Sequence, residues 1–310
     1  MEAILNPALL LFLSGILIGI TFKLTLPNSI SKYLGYYLLL SLGLKGGLSL
    51  QENGFINEVI SVLSLGVIFA LLIPAVAYFY LKNLLNTDDA AALSGTYGSV
   101  SAVTFVTAIA YLSTTSQDFD NYMSAVLVVM EFPAIFMALY LVTHNKNDNN
   151  LKTIKTAFLE IPNIILISSL FVGYFVSKKT LSNLDYLIVT IFDYLLYIFL
   201  FVMGTRVAKR IGELKGRGVS LIAFALLMPL IGSFISLLAS IYFGLSIGNA
   251  TLLMVLTASA SYIAVPAVVK DAIPDANPAI YLGLSLGVTF PFNIIVGIPL
   301  YNELAKYFIG

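Results

Sequence analysis

Apolar segments of about 20 residues, each long enough to cross the hydrocarbon core of a bilayer as a helix, recur from one end of the chain to the other. Only 10% of the residues are charged, against about a quarter in a typical soluble domain, so little charge remains for a water-facing surface. Short strands of alternating polarity are not evident, and helices satisfy their own backbone groups in lipid. The sequence therefore predicts an all-α polytopic membrane protein that lies in the lipid bilayer.

Ten transmembrane helices are predicted from these segments, with a polar stretch at 144–155 dividing them into two sets of five. The chain has no cysteine, which excludes disulfides, and its one histidine, His144, argues against a zinc site. A net charge of zero gives no electrostatic case for nucleic acid. The predicted spans are 4–22, 33–51, 57–81, 89–113, 120–143, 157–177, 184–208, 219–244, 249–270 and 278–307.

A glycine, a serine and a Phe-Pro pair of the first half have identical counterparts 158 residues further along, in the second half. Because each half has an odd number of spans, the second half would be inverted relative to the first, an arrangement found in many secondary transporters. The alternative is a coincidence among residues that are frequent in membranes. The matching positions are Gly46 with Gly204, Ser101 with Ser259, and Phe132-Pro133 with Phe290-Pro291.

Spans 4 and 9 combine small hydroxyl residues with helix breakers, in 94–104 and in 257–266. Glycine and proline favour an interrupted helix, and each restarted half-helix would direct free N–H groups and a positive dipole end at an anion. Pro266 suits the first turn of such a half-helix. The alternative is close helix packing through small residues without a ligand. The predicted substrate-binding residues are Ser99, Ser101, Thr104, Ser259, Ala260 and Ser261.

Glu131 lies near the middle of span 5, where a carboxylate costs about 2.5–3.5 kcal/mol to insert and so requires a partner or a role. It could bind sodium, carry a proton, or form a structural hydrogen bond to a neighbouring broken helix. Asp193 and Lys45 are the other embedded charges, and a structural ion pair or snorkelling at the lipid edge accounts for them.

Signatures of soluble-type enzymes, namely HExxH, GxSxG and the P-loop, are absent from the sequence. We therefore expect no enzyme activity and no organic cofactor, and transport driven by an ion gradient rather than by ATP. A gated anion channel is the alternative from another class. A transporter of a different small anion, with protons as one option for the coupling ion, is the alternative within transport.

Several motifs together resemble the sodium-dependent bicarbonate transporter family that is typical of cyanobacteria. The resemblance covers most of the chain, and 273–278 is its most specific block. The motifs are Gly43-Leu44-Lys45-Gly46-Gly47, Gly98 to Thr104, Met130-Glu131-Phe132-Pro133-Ala134, Met203-Gly204, Arg210-Ile211-Gly212-Glu213-Leu214, Ile273-Pro274-Asp275-Ala276-Asn277-Pro278, and Tyr281, Gly283, Ser285, Gly287 and Pro299-Leu300.

The resemblance implies sodium-coupled bicarbonate import by an elevator-like movement, with Na+ as the coupling ion. It also implies a homotrimer and a cytoplasmic PII-like regulatory protein as partner. The implied division is a scaffold of helices 1–2 (1–56) and 6–7 (157–212), a core of helices 3–5 (57–143) and 8–10 (213–310), and a central cytoplasmic loop (144–156).

The sodium ligands that the resemblance implies are Glu131, Ser101, Thr257 and Tyr262. The sequence departs from the family pattern at two of these positions, since the family has aspartate where this chain has Glu131 and Tyr262. Val103 also stands where the family has serine. These departures leave the transported anion and the coupling ion open at this point.

Lysine and arginine are distributed unequally between the two sides of the predicted spans, twelve against four of the sixteen in the chain. The richer side is cytoplasmic by the positive-inside rule, which puts both termini outside the plasma (inner) membrane. The cytoplasmic group is Lys23, Lys32, Lys82, Lys146, Lys152, Lys155, Arg206, Lys209, Arg210, Lys215, Arg217 and Lys270. The outer group is Lys45, Lys178, Lys179 and Lys306.

We predict that a cysteine at Gly216 is protected from an impermeant thiol reagent in intact cells, whereas one at Gly310 is labelled. The chain has no native cysteine, so each label reports one position. Mass-shift labelling on a gel measures both. Labelling at Gly216 from outside would contradict the orientation.

Overall fold

Twelve helices make up the part of the chain that the computed structural model describes, which is residues 7–24, 26–143, 161–176, 190–213, 218–262 and 264–310. No β-strand occurs in these ranges, as predicted. The central loop at 144–156, and parts of predicted spans 6 and 7, lie outside the described residues. The helices are α1 (Pro7–Phe22), α2 (Asn28–Asn53), α3 (Asn57–Leu81), α4 (Thr87–Gly98), α5 (Ala102–Thr114), α6 (Met123–Thr143), α7 (Ile161–Phe175), α8 (Ile191–Glu213), α9 (Val219–Phe243), α10 (Ile247–Ala258), α11 (Ala264–Ala272) and α12 (Pro278–Ile309).

Two helices differ from the simple spans that hydropathy predicts. Helix α2 begins at Asn28, directly after Pro27, and not at residue 33, because its first turn is polar and does not register as an apolar run. Helix α12 contains two π-helical stretches, Ser285–Thr289 and Asn293–Gly297, each adjoining the short α-helical segment Phe290–Phe292. The wider turns of a π-helix each accommodate one extra residue.

Five of the described helical segments are long and apolar enough to cross a membrane: α3, the α4–α5 pair, α8, α9 and α12. Helices α1, α7 and α10 are apolar but shorter. Large apolar side chains on the outside of the bundle are strongly exposed, among them Phe22 at 76%, Phe79 at 70% and Tyr242 at 84%. Such a continuous apolar exterior is a surface for lipid, and the chain is therefore an integral membrane protein. The count of ten spans stays a prediction.

Glycines allow α1 to pack tightly on α8 and α2 to pack tightly on α7. A Cβ at Gly15 would clash with the Phe201 carbonyl oxygen, and one at Gly204 would clash with the Phe12 carbonyl oxygen. Gly173 meets the carbonyl of Leu44 in the same way. These four helices form one group in which backbones contact each other directly, as small residues permit in membranes.

The remaining helices form a second group, in which α3 packs on α4 and α6, and α9 and α12 pack on α10. Within it, Gly98 at the end of α4 lies against the ring of Pro74 in α3. Gly232 in α9 lies against the carbonyl oxygen of Thr257, near the end of α10. At each interruption a glycine thus allows close packing between the broken helix and its neighbour.

We expect Gly15→Ala to lower the apparent melting temperature of the detergent-solubilised protein by several degrees, since the new methyl group overpacks the α1–α8 contact at a cost of roughly 1–3 kcal/mol. Gly35→Ala is the matched control, because a Cβ there meets only Phe199 at 3.7 Å. Both changes gain the same helix propensity. Thermal size-exclusion analysis compares them, and equal stability of the two variants would contradict the packing.

Candidate functional site

Two helix interruptions lie where the sequence predicts them. Helix α4 ends at Gly98 and α5 begins at Ala102, while α10 ends at Ala258 and α11 begins at Ala264. The residues that end the two upstream helices adopt nearly the same extended backbone: Ser99 has φ −88° and ψ 170°, and Ser259 has φ −86° and ψ 162°. Both interruptions therefore leave helical geometry in the same way.

The two interruptions are joined by a pair of hydrogen bonds. The Ser101 N–H donates to the Ser259 hydroxyl at 2.9 Å, and the Ser261 N–H donates to the Thr96 carbonyl at 2.7 Å. Ser259 in turn donates to the Leu256 carbonyl at 2.9 Å. Each bond pairs a buried N–H of one broken helix with an acceptor on the other. Together the two bonds fix the point where the broken helices meet, which we call the crossing.

Serine side chains cap both restarted half-helices. The Ser101 hydroxyl accepts bonds from the Thr104 N–H at 3.2 Å and from the Thr104 hydroxyl at 2.9 Å. The Ser261 hydroxyl accepts a bond from the Val265 N–H at 3.3 Å. Since both serine oxygens act as acceptors here, each serine O–H is available as a donor. Pro266 lies in the first turn of α11, as expected for proline.

A buried cavity of about 40 Å³ adjoins the crossing, a volume that suits a small ion and not an organic metabolite. It brings four predicted site residues together, Ser101, Ser261, Glu131 and Tyr262. The residues Ala102 and Val103 also line it, and first-turn amides such as theirs have no intrahelical acceptor. The cavity thus combines neutral donors, the positive end of a helix dipole and one carboxylate.

Glu131 is only 6% exposed, and its carboxyl group lies beside the Ser99 hydroxyl. The two groups are neighbours without a well-formed hydrogen bond, and the Ser99 hydroxyl has no partner among the described residues. None of the described lining residues is a lysine or an arginine. A carboxylate in this position requires a cation or a proton to balance it.

The other predicted site residues lie around the crossing without lining the cavity. Ser259 joins the two interruptions by accepting from the Ser101 N–H, Thr104 donates to Ser101 within its own half-helix, and Ala260 is 3% exposed. The Thr257 hydroxyl faces α9, where it lies 2.8 Å from the Ser236 hydroxyl and donates to carbonyls of its own helix. The structure therefore does not bring Thr257 into the cavity.

Four lining residues on the α2–α7 side of the cavity were not predicted: Leu39, Pro162, Asn163 and Leu166. Asn163 is 3% exposed, and a buried asparagine near the start of an apolar helix was a readable signal. Asn293 was also missed; its side-chain amide donates to the Ala258 carbonyl at 2.8 Å and so satisfies the end of α10.

Two broken helices that cross at a small cavity with a buried carboxylate, inside an apolar helical bundle, are the architecture of an ion-coupled membrane transporter. A comparison with protein families agrees with this class. The chain belongs to the Na+-dependent bicarbonate transporter superfamily, whose family model matches residues 7–306 of 310. Comparison with curated proteins found no match.

We predict that Ser259→Ala destabilises the protein and that Ser99→Ala does not. Ser259→Ala leaves the buried Ser101 N–H without an acceptor, at a cost of about 1–3 kcal/mol, so the variant should unfold at a lower temperature. Ser99→Ala removes a hydroxyl that has no hydrogen-bond partner among the described residues, and its stability should be unchanged. Thermal unfolding in detergent without sodium or bicarbonate measures both. Equal losses would show that the crossing bond is not formed.

Proposed function

We propose that the protein imports bicarbonate together with sodium, with the anion bound at the crossing of the two interruptions and sodium bound beside Glu131. The observation that carries the proposal is the cavity in which the Glu131 carboxylate meets the hydroxyls of Ser101 and Ser261, with no basic residue among its described lining. Membership of the family supplies sodium and bicarbonate as the expected ion pair.

The donors at the crossing suit a small planar anion. Bicarbonate carries one charge and three oxygens, which the Ser101 and Ser261 hydroxyls and the amides of Ala102 and Val103 can satisfy. Neutral donors contribute roughly 0.5–1.5 kcal/mol each, so the anion is held without a permanent cation. This favours release in each transport cycle, which a buried lysine or arginine would slow.

Coupling follows from the position of Glu131. A bare carboxylate about 4 Å from a bound anion repels it by about 4 kcal/mol at an effective dielectric constant of about 20. A sodium ion beside Glu131 removes this repulsion, and the anion in turn strengthens sodium binding. Oxygens of Ser99 and Tyr262 are close enough to Glu131 or the cavity to complete the sodium site. Ser101 would join them by giving up one of the two bonds that its oxygen accepts from Thr104.

Reciprocal contacts support an inverted repeat. In α4 the Asp89 carboxylate accepts from the Asn277 N–H at 2.6 Å, and in α10 the Asn249 side chain accepts from the Asp120 N–H at 2.9 Å. Asp89 and Asn249 are 160 residues apart, and Asp120 and Asn277 are 157 apart, close to the shift of 158. In the predicted repeat α1 corresponds to α7 and α2 corresponds to α8, so the contact of α1 with α8 corresponds to the contact of α2 with α7.

The two helix groups support an elevator-like mechanism. Helices α1, α2, α7 and α8 pack on one another through backbone contacts. The helices of the second group, which holds both interruptions, likewise pack on one another. We propose that the second group moves against the first and carries the cavity across the membrane. The homotrimer and the PII-like partner stay predictions from the family resemblance.

Uptake of 14C-labelled bicarbonate into proteoliposomes, with and without an inward sodium gradient, tests the proposal. We expect saturable uptake that depends on sodium in the wild type. Glu131→Gln should lose most of the sodium activation, because it removes the charge at nearly constant shape, and Glu131→Asp should retain part of it. Glu303→Gln is the control, since Glu303 is exposed and pairs only with Lys306 on α12 among the described residues.

Unchanged sodium activation in Glu131→Gln would remove Glu131 from the sodium site. Uptake driven by a pH gradient alone, and lost in Glu131→Gln, would replace sodium by a proton. Uptake that does not saturate with bicarbonate and needs no gradient would instead identify a channel.

A further inference from the structure

A second cavity, of about 440 Å³, lies between the two helix groups and has a strongly basic lining. Lys32 of α2 and Arg206 and Arg210 of α8 contribute three positive charges. None of the described lining residues is acidic. A cleft with one sign of charge and apolar walls concentrates ions of the opposite sign.

Arg206 lines this cavity and has an unused hydrogen-bond donor. One of its terminal nitrogens donates to Asn28, at 2.9 Å to the side-chain oxygen and 3.3 Å to the carbonyl oxygen. Its Nε–H is buried and has no hydrogen-bond partner in the described part of the chain. A buried N–H of a charged group without an acceptor is costly, and a small rotation of the guanidinium group toward the cavity would let an anion oxygen accept from it.

Three residues line both this cavity and the small cavity at the crossing: Leu39, Pro162 and Tyr262. The Tyr262 hydroxyl is buried without a hydrogen-bond partner among the described residues, and it lies between Ser101 on one side and Arg206 on the other. An anion that passes Tyr262 therefore moves from the donors of the crossing directly to a guanidinium group.

We propose that the 440 Å³ cavity is an anion vestibule with a second binding site for a small oxyanion at Arg206. The inference rests on the proposed function, because it makes the vestibule the next position of bicarbonate after the crossing. By the predicted orientation, Lys32, Arg206 and Arg210 lie toward the cytoplasm, so the vestibule receives the anion on release. Its volume admits the anion with part of its hydration shell, which lowers the cost of leaving the crossing.

A cysteine at Ser31 can report the electrostatic potential of the vestibule. Ser31 lines the cavity and donates to the same Asn28 carbonyl oxygen that accepts from Arg206. The chain has no other cysteine, so purified Ser31→Cys protein reacts at this position alone. The probes are a methanethiosulfonate that carries a sulfonate and its analogue that carries a trimethylammonium group.

We expect the anionic reagent to react severalfold faster than the cationic one, after correction for their rates with a free thiol. Millimolar bicarbonate should slow the anionic reagent. Adding Arg206→Gln should reduce the preference severalfold and abolish the protection, whereas Arg206→Lys should retain most of the preference. Lys209→Gln removes a charge from the same helix at an exposed position outside the cavity lining, and should change neither.

Two results in the Ser31→Cys protein alone would each overturn the proposal: equal reaction rates for the two reagents, or no protection by bicarbonate. Neither result depends on whether the Arg206→Gln variant folds. The measurement needs neither sodium nor transport. Protection by bicarbonate without sodium-coupled uptake in proteoliposomes would therefore overturn the proposed function but not the vestibule. Sodium-coupled uptake without protection would overturn the vestibule but not the proposed function.

Discussion

Backbone amides and carbonyls exposed by a helix break deep in a bilayer have no water to satisfy them, so an interruption there needs a partner of fixed geometry. In this protein each interruption supplies the partner of the other, through Ser101 with Ser259 and Ser261 with Thr96. The small cavity, the positive helix ends and the contact with Glu131 all depend on this mutual arrangement. Two broken helices are possible here because they cross.

The interruptions and most of the polar residues around them could be predicted from the sequence, because glycine, proline and serine act locally. Residues such as Leu39 and Arg206 could not, since their place at the cavities depends on how helices distant in sequence pack. Thr257 shows a second limit. Helix α10 is buried on all sides from Gly248 to Ala258, so its sequence has no exposed face from which to tell that the Thr257 hydroxyl faces α9 and not the cavity.

The two neighbouring cavities differ in charge. The cavity at the crossing has neutral donors and one carboxylate, whereas the larger cavity beyond Tyr262 has Arg206 and a basic lining. Tyr262 places an uncharged phenol at the boundary between them. An aspartate in its place would confront an anion on the proposed path with a second negative charge beside the guanidinium group.

The π-helical stretches of α12 affect how this protein tolerates changes in length. Each wide turn holds one residue more than an α-helix of the same rise, so removal of one residue from Ser285–Thr289 would leave an ordinary α-helical turn and keep the following residues near their places. Asn293 would then still reach the Ala258 carbonyl at the end of α10, to which it donates. The same deletion in an α-helical stretch would rotate everything after it by roughly 100°, so the π-helical stretches are the places where α12 best absorbs the loss of a residue.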